Sequence, residues 1–134
     1  MTIDAGDENG WRFFDFDRGA VIVPPDTAGW DLAVRRFRIV PSGAIADVGA
    51  VPFDSVTAAP DSGYVASRFG RDTSNAATEH WYAYSYISHL LSPRGEVYVV
   101  RTREGRYAKF QVLSYYCPGP TPGCMTIRYQ SLTP

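Results

Sequence analysis

The run Glu96–Tyr116, EVYVVRTREGRYAKFQVLSYY, constrains this chain more than any other stretch. Val97, Tyr98, Val99, Val100 and Thr102 are β-branched or aromatic and suit a pleated, half-buried surface. Arg103-Glu104-Gly105-Arg106 is a polar turn with a glycine free to take positive φ. The return limb, Tyr107–Tyr116, alternates. Ala108, Phe110 and Val112 share one face, and Tyr107, Lys109 and Gln111 share the other. A long antiparallel hairpin is predicted, with Glu96–Thr102 paired to Tyr107–Tyr116.

At 134 residues the chain is long enough for one domain with a core of its own. Hydrophobic residues make up 45% and charged residues 20%, the balance of a globular fold. A net charge of −1 argues against nucleic acid, whose phosphates ask for a basic surface. No run of about 18 apolar residues is present to cross a membrane as a helix. The start, MTIDAGDENG, is acidic and polar and lacks the pattern of a signal peptide. The compartment argument therefore falls to the two cysteines. Cys117 and Cys124 bracket Pro118-Gly119-Pro120-Thr121-Pro122-Gly123, a spacer that cannot continue a strand and must reverse the chain. A disulfide is expected, and with it an exported, extracellular or cell-surface location. Two free thiols or half of a metal site are the rival readings, although no other cysteine exists to complete a thiolate site.

Residues 1–10 read as a flexible tail and 11–134 as a single β domain. Trp11–Phe16 reads as a strand, with Trp11, Phe13 and Ala20–Val23 toward the core around an Asp17-Arg18-Gly19 turn. Pro24-Pro25-Asp26 ends this hairpin. Trp30–Val40 reads as one strand, with Arg36 and Arg38 outward and Phe37 and Ile39 inward. Pro41-Ser42-Gly43 stops it. Residues 44–75 read as short strands cut by Pro52, Pro60, Gly63 and Gly70, with Arg71–Ala77 a polar loop. Glu79–Leu91 is compatible with a helical face through Ala77, Trp81, Tyr84, Ser88 and Leu91. Its alternation of aromatics over Trp81–Ile87 favours a strand. Met125–Leu132 is a closing strand. The fold class is all-β: antiparallel sheets, rich in hairpins, with few or no helices.

No hydrolase elbow, phosphate loop or metal box is present, and the scattered carboxylates define no glycosidase pair. A binding protein rather than an enzyme is expected. His80 and His89 are the two strong nitrogen ligands of the chain. Axial haem ligation takes side chains such as His or Met on opposite faces of the porphyrin. A spacing of nine residues would turn the two histidines away from each other on a single element. Both can serve only if the chain bends between Tyr84 and Ser88. Otherwise one is a surface and one a packing histidine. Met125 is a soft ligand type but reads as core.

Several blocks together resemble the HmuY-like family. These are Trp30-Asp31-Leu32-Ala33 with Arg36, Phe37 and a Ser42-Gly43 turn; Trp81-Tyr82-x-Tyr84; Val97–Thr102; Gly105–Lys109; Gln111–Tyr116; and Thr126-Ile127-x-Tyr129. The likeness runs from about Trp11 to Leu132. It implies an exported, mostly-β domain, secreted or held by an outer-membrane lipid anchor in the full-length protein. The founding members are haemophores that bind haem through two axial side chains. The implied cofactor is haem or a similar small hydrophobic ligand, and His89 and His80 are its candidate ligands. His89 is the stronger candidate, at the end of an element beside Leu90-Leu91. The alternative is an exported module that docks a protein or glycan through Tyr82, Tyr84 and Tyr86.

Overall fold

A computed structural model describes residues 1–6, 10–22, 29–70, 73–118 and 121–133. The predicted hairpin is its central feature. Val97 pairs with Gln111 and Arg101 with Tyr107, antiparallel, around the Arg103–Arg106 turn. In chain order the strands are β1 (Thr2–Asp4), β2 (Arg12–Asp15), β3 (Ala20–Ile22), β4 (Leu32–Arg35), β5 (Arg38–Pro41) and β6 (Ala44–Gly49), then β7 (Val65–Ala66), β8 (Tyr82–Tyr84), β9 (Leu91–Pro93), β10 (Val97–Arg101), β11 (Tyr107–Cys117) and β12 (Thr121–Leu132). Six of them form an antiparallel sheet in the order β1-β12-β11-β10-β6-β7. Four more form β3-β2-β4-β5, and β8-β9 stand as a separate pair. Among the described residues the only helical element is a 3-10 turn at Phe53–Ser55.

The main core draws on both larger sheets. Phe14, Leu32, Val34 and Ile39 come from one, and Tyr98, Phe110, Met125 and Ile127 from the other. Phe14 meets Tyr129 edge-on at 5.2 Å, and Tyr98 stacks on Phe110 at 5.3 Å.

The polar face expected along β11 is buried as well. The segment around Phe53 lies over it, so Val97 and Val99 pack in a second cluster with Val56. Lys109, 2% exposed, donates from Nζ to the Phe53 carbonyl at 2.7 Å, and its ammonium sits 4.1 Å from the Phe53 ring centre. Arg128 approaches the same ring at 4.6 Å and donates from Nε to Gln111 Oε1. Lys109 thus ties the covering segment down from beneath, and the exposed Arg128 flanks its ring.

Four expectations need correction. Thr2–Asp4 is no loose tail, because it pairs with β12 along Thr2↔Thr126 to Asp4↔Cys124 and buries Ile3; residues 7–9 lie outside the described residues. In β2 and the residue that follows it, the buried aromatic side chains are Phe14 and Phe16, not Trp11 and Phe13. A shift of one residue exchanges the two faces of a strand, and Phe13 packs instead on Trp30 at 5.2 Å. Trp30–Val40 is two strands, reversed at Arg36-Phe37, where Arg36 takes φ 53° and Phe37 is left 41% exposed. The cysteine spacer is shorter than expected, since Pro122 and Thr121 already pair with Tyr116 and Cys117. Val23 and the stop at Pro24-Pro25-Asp26 lie outside the described residues, as do Arg71, Asp72, Gly119 and Pro120.

Cys117 and Cys124 form the expected disulfide, with Cα atoms 5.0 Å apart across β11 and β12. Closing so short a loop stabilises by about 2 kcal/mol in the chain-entropy model. Reduction should therefore lower the urea midpoint by that equivalent, and an unchanged midpoint would show that the bond contributes nothing.

Candidate functional site

The site grows out of Trp81. Its indole is buried, lies edge-on to Tyr82 and Tyr115 at 5.1 and 6.0 Å, and donates from Nε1 to the Phe37 carbonyl at 2.7 Å. That bond holds the β4–β5 turn against the start of the β8–β9 hairpin. The hairpin runs outward from there. Tyr82 pairs with Pro93 and Tyr84 with Leu91, and the Leu91 amide donates to Tyr116 Oη at 2.8 Å. The expected single strand over Glu79–Leu91 is thus two short strands and a turn.

A chain reversal does fall between the two histidines. Ser85 N donates to the Leu90 carbonyl and His89 N to the Ser85 carbonyl, at 3.0 and 2.8 Å, and His89 closes the turn at φ 59°. The tip carries Tyr86 and Ile87, which are 86% and 96% exposed. Tyr84 meets Tyr86 edge-on at 5.2 Å, and its hydroxyl lies 2.8 Å from His89 Nδ1. With the proton on Nδ1, His89 donates to Tyr84 and leaves Nε2 as a free acceptor, the tautomer a metal-binding imidazole uses.

His80 lies at the base of the same hairpin. It is exposed and lines a cleft of about 410 Å³ with Phe37, Arg38, Ile39, Thr78 and Tyr82. Phe37 and Tyr82 meet edge-on at 5.8 Å. The preceding loop is pinned by Thr78 Oγ1, which donates to the Ile39 carbonyl at 2.6 Å, and by Asn75 Nδ2, which donates to the Val65 carbonyl. The structure puts His80 in the wall of this cleft and His89 beyond Tyr84 at the tip, so the hairpin carries both histidines and the cleft only one. Among the described residues neither is hydrogen-bonded to a serine hydroxyl or a carboxylate, and no cluster of three metal-ligating side chains occurs.

Phe37 and Arg38 were not legible as site residues, because a continuous strand places them mid-sheet. A second cleft, of about 430 Å³, was missed entirely. Asp31, Thr102, Arg106 and Tyr107 line it, and Arg106 pairs there with Asp17. Burial pushes the Asp31 carboxyl up to about 6. The Phe16 N–H donating to Oδ2 at 2.9 Å works against this, and the Asp15, Glu104 and Asp17 charges add to it.

The sequence matches the HmuY protein family over residues 7–129. No curated protein matches it. Among solved structures it is similar to a Bacteroides vulgatus protein named as a candidate HmuY-like haem-binding protein, with 22% identity, TM-score 0.80, and 96% of this chain and 88% of that one covered. It is similar to the apo HmuY analogue of Tannerella forsythia at 17% identity and TM-score 0.86, covering 98% and 94%. It is also similar to a Bacteroides fragilis protein named as a candidate lipoprotein, at 17% identity and TM-score 0.80, covering 96% and 86%. These likenesses establish the shared fold, and the family match covers most of the sequence from Asp7 to Tyr129: the chain belongs to the HmuY family.

Proposed function

We propose that this protein binds haem or a related porphyrin at the β8–β9 hairpin, as an exported protein that is secreted or held at the cell surface by a lipid anchor. The observation that carries the reading is the hairpin itself. It reverses between two exposed histidines, with His80 at its base and His89 at its tip beside the exposed Tyr86 and Ile87. Imidazoles of this kind are axial donors for haem iron, and apolar side chains give a porphyrin its contact surface. These residue types are the ones such a group asks for. His89 would be one ligand, oriented by Tyr84, and His80 the other. Bound haem would supply iron and a flat apolar body; the chain supplies the imidazoles, the aromatic flank and the Trp81 anchor. The haem-binding assignment of the Bacteroides vulgatus relative and the lipoprotein assignment of the Bacteroides fragilis one support the reading.

Titration with haemin tests the ligand set. His89→Ala should abolish a low-spin Soret spectrum. His80→Ala should weaken binding or leave a high-spin spectrum. If both variants keep the wild-type spectrum, neither histidine is a ligand.

The second reading is a docking module for a protein or glycan. The exposure of Tyr84, Tyr86 and Ile87 favours it, although Tyr82 is half-buried against Phe37 and Trp81 and drops out of the expected trio. It predicts no saturable haemin spectrum at all.

A further inference from the structure

The β4–β5 turn presents three arginines in four residues, Arg35-Arg36-Phe37-Arg38. Arg35 and Arg38 are direct cross-strand partners. Like charges facing each other at that position destabilise a sheet. Arg36, between them, holds a left-handed φ that side chains other than glycine seldom adopt. Among the described residues none of the three has a carboxylate partner. The Arg35 guanidinium lies over the Trp11 ring at 4.7 Å, while the Arg36 and Arg38 guanidinium groups donate to the Gly6 and Thr73 carbonyls, at 3.2 and 3.3 Å. All four residues of the turn line one depression, and Phe37 and Arg38 are also wall residues of the His80 cleft. The depression under the cationic turn and the cleft that holds the imidazole therefore adjoin at Phe37 and Arg38. Glu79 lies in the same cleft but is not within ion-pair distance of Arg38.

We infer that this turn is a carboxylate-recognition element, with Arg38 and then Arg35 receiving the propionate groups of the porphyrin whose iron the hairpin histidines hold. A planar guanidinium fork matches a carboxylate with two parallel hydrogen bonds. An anion on the turn also relieves the Arg35–Arg38 repulsion, so the ligand supplies the negative charge that the described chain withholds. The inference rests on the haem reading above and names which feature of the ligand the site selects: its two carboxylates, not its ring alone.

The test compares haemin with haemin dimethyl ester by Soret titration of the wild-type protein. Haemin should bind about tenfold more tightly than the ester, the effect of about one charge-assisted hydrogen bond at a partly exposed site, and this advantage should shrink as salt is raised. Arg38→Gln should remove most of the advantage, lowering haemin affinity several-fold more than ester affinity, and Arg35→Gln should remove part of it. Equal wild-type affinities for the two ligands would overturn the carboxylate role and leave haem binding intact. So would a preference that Arg38→Gln and Arg35→Gln both leave untouched. Absence of a saturable spectrum with either ligand would overturn the haem reading and this inference with it.

Discussion

Trp81→Ala is expected to cost about 3–5 kcal/mol of folding stability, the range for truncating a buried aromatic, and to weaken haemin binding as well. Trp81 is 1% exposed and is one of the largest fully buried side chains. It also joins three parts of the molecule. Its ring packs in the main core, its indole N–H holds the Phe37 carbonyl of the β4–β5 turn, and its own carbonyl accepts from Arg94 N at 2.9 Å at the far limb of the hairpin. The milder Trp81→Phe keeps an aromatic ring in the core and removes the N–H with part of the ring volume. It should cost about 1–2 kcal/mol and loosen the turn from the hairpin. Urea denaturation reads the stability, and haemin affinity reads the coupling. A Trp81→Phe protein equal to wild type in both would show that the indole bond does not organise the site.

The second large effect is on the pH dependence of stability. The Asp31 carboxyl is raised from 3.8 to about 6 by burial, against the pull of the Phe16 N–H, with the neighbouring carboxylates adding to the rise. A raised folded value means that the folded state holds the proton more tightly than the unfolded chain. The stabilisation is therefore complete below about pH 4 and is lost as pH rises through about 6. At about 1.4 kcal/mol per pH unit this amounts to about 3 kcal/mol between the two limits. Asp31→Asn keeps an oxygen to accept from Phe16 N and removes the charge. It should flatten the profile between pH 4 and 7 and stabilise the protein at pH 7.5 by up to that amount. An unchanged slope in the variant would assign the pH dependence to other groups.

The main hairpin was legible because its two limbs alternate and its turn carries Gly105, so local preference and tertiary pairing agree. The disulfide was legible for a similar reason: a spacer of prolines and glycines leaves the chain little choice but to reverse. The β4–β5 turn was not. Its central residues are Arg36 and Phe37, neither a turn former, and the cost of a left-handed arginine is met by tertiary contacts such as the Trp81 bond and the Arg36 amide on the Ala5 carbonyl. The buried side of β11 was missed because Lys109 and Gln111 look like a solvent face until Phe53 lies over Lys109 and the Gly95 carbonyl accepts from Gln111. For the site, the spacing of His80 and His89 called for a bend; a turn lies between them and leaves His80 at the base of the hairpin and His89 at its tip. The arginine turn beside His80 depended on a chain reversal invisible in the alternation, so its place at the cleft could not be read from sequence.

The most direct measurement is a haemin titration of the wild-type protein followed in the Soret band, beside an unrelated protein of similar size and charge. Haem binding at the β8–β9 hairpin predicts a saturable one-to-one transition to a low-spin spectrum that the control lacks. A titration indistinguishable from the control would contradict it and leave the exposed Tyr84-Tyr86-Ile87 tip as a docking surface.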